Sequence, residues 1–203
     1  WTYHHDQGPV WLRITYEDGL AQGEERVFYD SGAPLRTGRF AAGLPEGRVE
    51  ELDPEGRVRR SVEYRKGLRE GAVSTREGGV VAAAEAFVAG VWNGPRTLVQ
   101  EKESTTITYL GGIAHGAAEG THAGGEKRFR GAYESGLPSG AWTFFHPNGQ
   151  VSEEKTYVAG RLEGQVRAFF EDGKPSRVEG YLHGKRHGEQ RAFHPDGSRA
   201  EEG

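Results

Sequence analysis

Two histidines stand four residues apart in YLHGKRHG (181–188), with Lys185 and Arg186 between them and Gly184 and Gly188 as a frame. On a helix, positions i and i+4 share a face, so His183 and His187 would suit zinc. Gly184 interrupts them, however, and no third ligand lies close in sequence, so they read as parts of a solvated turn. Gly-x-x-x-Gly is also a contact motif of membrane helices, which requires an apolar helix; here it is surrounded by His, Lys and Arg. A phosphate loop needs Gly-x-x-x-x-Gly-Lys-Ser/Thr, and Gly184-Lys185-Arg186 departs from it at both ends. Carboxylates are plentiful, among them Glu24, Glu25, Glu50, Glu51, Glu153 and Glu154, but exposed strand positions and cross-strand pairing account for them. No nucleophile, base and orienting residue assemble, so the sequence points away from an enzyme and implies no metal and no cofactor.

The elements that hold these residues come from a repeat. Aromatic, two residues, Gly, three residues, Gly recurs as Tyr16 with Gly19 and Gly23, Phe40 with Gly43 and Gly47, Tyr64 with Gly67 and Gly71, and Phe87 with Gly90 and Gly94. It continues as Tyr109 with Gly112 and Gly116, Tyr133 with Gly136 and Gly140, Tyr157 with Gly160 and Gly164, and Tyr181 with Gly184 and Gly188. The leading aromatics are separated by 24, 24, 23, 22, 24, 24 and 24 residues, and these aromatics and glycines are expected to be the structural residues of the repeat. A third glycine follows most of them by sixteen, as at Gly32, Gly149 and Gly173; Gly79 comes one residue early and the fourth repeat has none. Gly8 fits the same register, and Trp1 then matches Trp142, so residues 1–15 read as a partial repeat before eight full ones.

Each repeat holds two turns and two strand candidates. The second turn is plainest in HPNG (146–149) and HPDG (194–197), where Pro fixes φ and glycine accepts the positive φ of a tight hairpin. Between turns lie aromatic and β-branched segments such as AWTFF (141–145). The chain is therefore expected to be all-β: one elongated, single-layer antiparallel β-meander of tandem 24-residue β-hairpin repeats over residues 1–203. At about 4.8 Å per strand it would run on the order of 75–80 Å, stabilised by contacts between neighbouring repeats. Helix propensity competes at GGVVAAAEAFVAG (78–90), where the repeat register argues for a strand. The stretch 95–132 departs most from the pattern and is the expected place for a bend or bulge. His146 and His194 occupy equivalent positions four strands apart, about 19 Å, too far to share an ion.

Composition agrees. Apolar residues make up 34% of 203, too few for a deep core of that size, while 32 glycines coexist with 28% charged and 10% aromatic residues. Net charge is -4 and evenly spread, which gives no support for nucleic acid as a partner. The same even charge gives little support for an anionic membrane surface, and no apolar run approaches the roughly 20 residues of a membrane span, so a transmembrane segment is not expected and peripheral contact stays open. Cysteine is absent, so there is no disulfide framework or thiolate site. Methionine is absent too, consistent with a removed leader or a trimmed start. The compartment stays open between cytoplasm and, behind such a leader, periplasm or envelope.

YLHGKRHGEQRAFHPDGS (181–198) and YESGLPSGAWTFFHPNGQ (133–150) resemble MORN repeats, in particular the bacterial YwqK-type antitoxin variant. The resemblance covers essentially the whole chain. It implies a β-hairpin repeat fold and roles in protein association, scaffolding or toxin neutralisation, and it carries no catalytic residue, because the motif itself is structural.

Specificity must then lie in what varies. Phe28, Phe145, Phe169 and Phe193, with Leu52 and Val99, share one repeat position and are expected to line one face as a core row. The opposite face carries Trp142, Phe144, Phe170, Val166 and Tyr29, a second apolar row that either lacks a partner layer and marks an interaction site or is buried by twist and curling of the sheet. Trp142, Phe144, Phe170 and Tyr29 are thus candidate partner-binding residues, and Trp92, in an ordinary turn, is a further exposed anchor because Trp is enriched at hot spots. The leading expectation is a non-enzymatic scaffold that binds a protein along this face or an open sheet edge. The alternative is a module for glycan or lipid headgroups that uses the aromatics as platforms.

Overall fold

The computed structural model describes residues 1–4 and 10–200; Gly8 lies outside the described residues. Among the described residues there is no helix, and the strands belong to an open antiparallel sheet of 20 strands in which neighbours in sequence pair as hairpins. The all-β meander of hairpin repeats is confirmed. By packing, the chain divides into Trp1–Arg96 and Thr97–Gly203, each described by itself below.

The repeat motif acquires a distinct reason at each position. After the leading aromatic, the hairpin turns through two residues of positive φ. Asp18, Ala42, Lys66, Ala89, Ser135, Ala159 and His183 take 47–51°, and the glycines that follow them take 77–83°. Positive φ at both central positions defines a type I′ turn, whose twist matches that of the strands. The N–H of this glycine also reaches back into the preceding repeat: Gly43 donates to the Ala21 carbonyl at 2.9 Å, Gly67 to Pro45 at 2.9 Å, and Gly184 to Leu162 at 2.9 Å.

Gly19 fits this scheme only in part, and the structural role expected of it narrows accordingly. It has the turn conformation, φ 78°, but it is exposed, and a Cβ built on it would meet nothing within 4 Å among the described residues. At Gly43, Gly67, Gly90, Gly136 and Gly160 the same Cβ would meet an apolar side chain of the preceding repeat. Among the described residues Gly19 shows the backbone role of its turn. Its leading aromatic, Tyr16, is likewise 39% exposed, whereas Phe87 at the equivalent position is 4% exposed.

The second glycine makes a bulge. In the hairpin of Lys127–Glu134 with Leu137–Phe145, Ala132 faces Ser139 and Arg130 faces Thr143, so the second strand carries two extra residues around Gly140, φ 68°. Gly140 then pairs with Tyr157, the leading aromatic of the next repeat. The same pairing joins Gly23 with Phe40, Gly47 with Tyr64, Gly116 with Tyr133 and Gly164 with Tyr181. A residue without a side chain thus faces each large ring.

The third glycine closes a three-residue loop. His146 N–H donates to the Gln150 carbonyl at 2.8 Å, Gly149 N–H donates back to His146 at 2.9 Å, and Gly149 sits at φ 82°, a type I turn with a glycine bulge. The two short repeats replace this loop by two-residue turns with both φ positive: Gly78–Gly79 at 57° and 85°, and Glu101–Lys102 at 52° and 69°. That accounts for the missing third glycine in the fourth repeat. The alanine-rich stretch forms the strand Val80–Val88, so register prevails over helix propensity.

In Trp1–Arg96 the buried row is Ile14, Val49, Val62, Val73 and Phe87, with Tyr64 and Trp92 packed on the cluster of the last three. Ile14 N–H donates to the Trp1 carbonyl at 3.0 Å. This places Trp1 opposite Ile14, as Trp142 is opposite Lys155. In Thr97–Gly203 the buried apolar residues are Ala118, Trp142 and Val166.

This corrects the assignment of the core row. Phe28, Leu52, Val99, Phe145, Phe169 and Phe193 are only half-buried. Phe28 and Phe145 lie under Arg13 and Arg130, at 5.6 Å and 5.9 Å. The core is the row of Val49, Val73, Trp142 and Val166 on the other face, where the leading aromatics flank it on one side. Glu25 shares that row and is buried beside Arg36 Nε at 3.3 Å, so it is not the exposed strand carboxylate expected from sequence.

Candidate interaction surface

Trp142 occupies the middle of Leu137–Phe145 and is 7% exposed. The strand that faces it carries Gly131, and a Cβ there would collide with the indole. Phe129 lies in the same way over Gly120. The two glycines let the rings lie flat on the sheet: Phe129 and Phe144 flank the indole at 5.9 Å and 6.1 Å, with interplanar angles of 18° and 24°. Tyr133 and Tyr157 meet it edge-on at 5.2 Å and 6.2 Å. The indole N–H donates to the Ala132 carbonyl at 3.2 Å, so its one polar atom is satisfied. Lys155 Nζ stands 4.4 Å above the Phe144 ring and 2.8 Å from Glu153. The Arg128 guanidinium lies 5.3 Å from the Phe129 ring, so the result is a shelf of half-buried rings, Phe129 and Phe144, clamped by a buried tryptophan and edged by two cations.

Of the five residues singled out from sequence, Tyr29 and Trp92 lie in Trp1–Arg96, and Trp142, Phe144 and Phe170 in Thr97–Gly203. Trp142 and Phe144 come together, but Trp142 is the clamp and is not itself exposed. Phe170 is half-buried and opens a loop, its N–H donating to the Lys174 carbonyl at 2.8 Å. Tyr29 is half-buried with its hydroxyl donating to the Leu52 carbonyl at 2.8 Å. Trp92 is no free anchor either: it lies against Phe87 at 6.3 Å, under the Arg96 guanidinium at 4.4 Å, with its N–H donated to Glu85 at 3.2 Å. Arg96 Nε binds the same Glu85 oxygen at 2.9 Å, which fixes the arrangement from two sides.

The histidines have backbone roles. His122 Nε2 lies 3.0 Å from the Phe145 carbonyl and His146 Nε2 2.9 Å from the Phe169 carbonyl, the same position from which Tyr29 caps Leu52. His183 is the first of the two positive-φ residues of its turn, its N–H donated to Glu163 at 2.8 Å. No group of three or more His, Cys, Asp or Glu is placed to hold a metal among the described residues. A cleft of about 600 Å³ over Gly38 is lined by Thr37 and by Glu24, Glu25, Arg26, Arg39 and Arg48, charges of both signs.

Residues 138–159 match the family model described as a MORN repeat variant. The match supports a MORN-repeat protein. The matched MORN stretch contains the clamp, Trp142, and the ring beside it, Phe144, together with the tight loop at Gly149. MORN repeats are non-enzymatic repeat modules. A comparison with curated proteins finds no match. No helix among the described residues is long and apolar enough to cross a membrane.

Sequence reasoning missed one set of residues. The position directly after the first glycine is Leu20, Leu44, Leu68, Val91, Ile113 and Leu137, each 44–54% exposed, before it turns to Arg161 and Lys185. The signal was present, an apolar residue at one fixed place per repeat, but a single residue in 24 makes no local pattern.

The loop carboxylates give the fold a pH dependence. Asp172 Oδ1 accepts the Lys174 N–H at 3.0 Å, and this bond with the Lys174 ammonium holds its carboxyl below the usual carboxylate range. The Ser198 hydroxyl and N–H do the same for Asp196. A carboxyl lowered in the folded state contributes stability that is full above its unfolded pKa, about 3.9, and is lost as pH falls through the lower folded value. Asp172→Asn keeps the acceptor, as Asn148 does for Gln150 at 2.9 Å. This variant is expected to melt lower than wild type at neutral pH and to show a shallower loss of melting temperature below about pH 4.

Proposed function

We propose that the protein is a non-enzymatic repeat scaffold that binds another protein across the aromatic shelf of Thr97–Gly203. The observation that carries this reading is the pair Phe129 and Phe144, half-buried rings held flat by Trp142 with no second layer over them among the described residues. Rigid aromatic surface of this kind costs little conformational entropy to bury, which is why aromatic anchors dominate protein interfaces. Lys155 and Arg128, paired with Glu153 and Glu103 at 2.8 Å and 3.2 Å, give the rings a polar rim, the arrangement of an apolar patch that docks a partner. Toxin neutralisation, implied by the YwqK-type resemblance, and assembly are the two forms such binding would take.

The test is capture from native extract with wild type and Phe144→Ala. Phe144 is only half-buried, so the variant keeps its strands by circular dichroism. A stoichiometric protein retained by wild type and lost in the variant supports the scaffold. Binding to purified glycan or to lipid vesicles that depends on Phe144, with no protein captured, would replace it by the platform reading.

A further inference from the structure

We infer that the full chain self-associates weakly through the turn edge of Trp1–Arg96, two copies meeting antiparallel on the leucines Leu20, Leu44 and Leu68. Each of the three is 50% exposed. They form a continuous stripe, because each lies over the first glycine of the next repeat: Leu20 Cδ2 is 3.3 Å from where a Cβ on Gly43 would be, Leu44 Cδ2 3.2 Å from that on Gly67, and Leu68 Cδ2 3.4 Å from that on Gly90. The rungs are two strands apart, roughly 9–10 Å.

Charge selects the occupant and its direction. The cross-strand neighbours of the leucines are Glu17, Ala41 and Arg65 in turn. The next residues, which open the turns, are Asp18, Ala42 and Lys66. The Leu20 rung is thus doubly acidic, the Leu44 rung small and neutral and the Leu68 rung doubly basic, with the Glu46 carboxylate accepting the Lys66 N–H at 2.6 Å, while the next rung, Val91, has only Val88 and Ala89 beside it. Glu17, Asp18, Arg65 and Lys66 are exposed, and none makes an ion pair among the described residues.

A second copy rotated about a two-fold axis at Leu44 sets Leu20 against the partner's Leu68, Leu44 against its own counterpart, and Glu17 with Asp18 against the partner's Arg65 and Lys66. This is an isologous contact, satisfied identically from both sides. The parallel alignment would set acid on acid and base on base. Three half-exposed leucines with a charged rim supply much less than the ~800 Å² per partner of a stable interface. Association is therefore expected near a Kd of about 0.1 mM.

Sedimentation equilibrium of the full chain across about 0.01–0.5 mM tests this, since that range brackets the expected Kd. Wild type should rise from monomer toward dimer mass, and Leu44→Asp should stay monomeric throughout with unchanged circular dichroism. The double reversal E17K/D18K should weaken association about tenfold or more, and E17K/D18K/R65E/K66E, which restores every opposite pair, should recover it. The charge variants touch no buried group, so they keep the test valid if Leu44→Asp disturbs folding. Monomeric wild type across the range, a dimer indifferent to Leu44→Asp, or a fourfold reversal no better than the double one would each overturn the proposal.

Discussion

Trp142→Ala is expected to cost Thr97–Gly203 about 3–5 kcal/mol, the range for removing a large buried aromatic. The indole is 7% exposed and is in ring contact with Phe129, Tyr133, Phe144 and Tyr157, residues drawn from three strands. A sheet without a covering layer has no other source of burial at that point. The complementary change is Gly131→Ala, whose Cβ enters the space of the indole. Overpacking of this sort costs about 1–3 kcal/mol. The two changes share one volume, so in the Trp142→Ala background the alanine at 131 should cost little or nothing. Urea unfolding of the four proteins in this cycle, followed by circular dichroism, measures the coupling directly. Additive costs would mean that the indole does not rest on Gly131.

Gly160→Val carries the second large effect. Gly160 is the second residue of a type I′ turn at φ 77°, where a β-branched residue is a strong outlier, worth about 1–3 kcal/mol of strain. The added side chain would also press on Leu137, whose Cδ2 is 3.2 Å and Cβ 3.3 Å from the new Cβ. A turn that shifts to escape both loses the bond from Gly160 N–H to the Pro138 carbonyl, 3.1 Å in the native chain. The neighbour Ala159 shares the left-handed region at φ 47°, yet asparagine is at home there, so Ala159→Asn is the control that should melt no lower than wild type. A Gly160→Val protein with native melting temperature would show that the turn type is not specified by its glycine.

The spacing of the leading aromatics and glycines made the fold readable before any coordinate. Strand length, turn placement and the strand character of Val80–Val88 all follow from register, and register overrode the helix propensity of its alanines. The buried face was not readable, for a physical reason. Which row is core depends on the size of the residue across the strand, Gly131 beneath Trp142 and Gly38 beside Val49, and those partners are known only once the two extra residues at each bulge are placed. Trp92 shows the same limit. Its spacing suggested an exposed anchor in a turn, but Glu85 on the strand across from it and Arg96 further along its own side of the hairpin pin it to the sheet. The candidate site was legible as a concentration of aromatics around residues 142–145 and illegible in which of them is accessible.

The backbone bonds between repeats have a consequence for how such a chain changes length. The first-glycine N–H donates to the preceding repeat, as from Gly136 to Ala114 and from Gly160 to Pro138, while the caps at Tyr29, His122 and His146 serve a carbonyl 23 residues further on. Every such bond spans one period. Removal or insertion of one whole period, as between Gly136 and Gly160, rejoins equivalent atoms and leaves each donor facing an acceptor of the same kind. A change of any other length brings a glycine turn against a strand and a ring against a Cβ. The molecule can therefore grow or shrink only in quanta of a repeat, and the short units survive because they take their missing residues from loops, outside the bonded period.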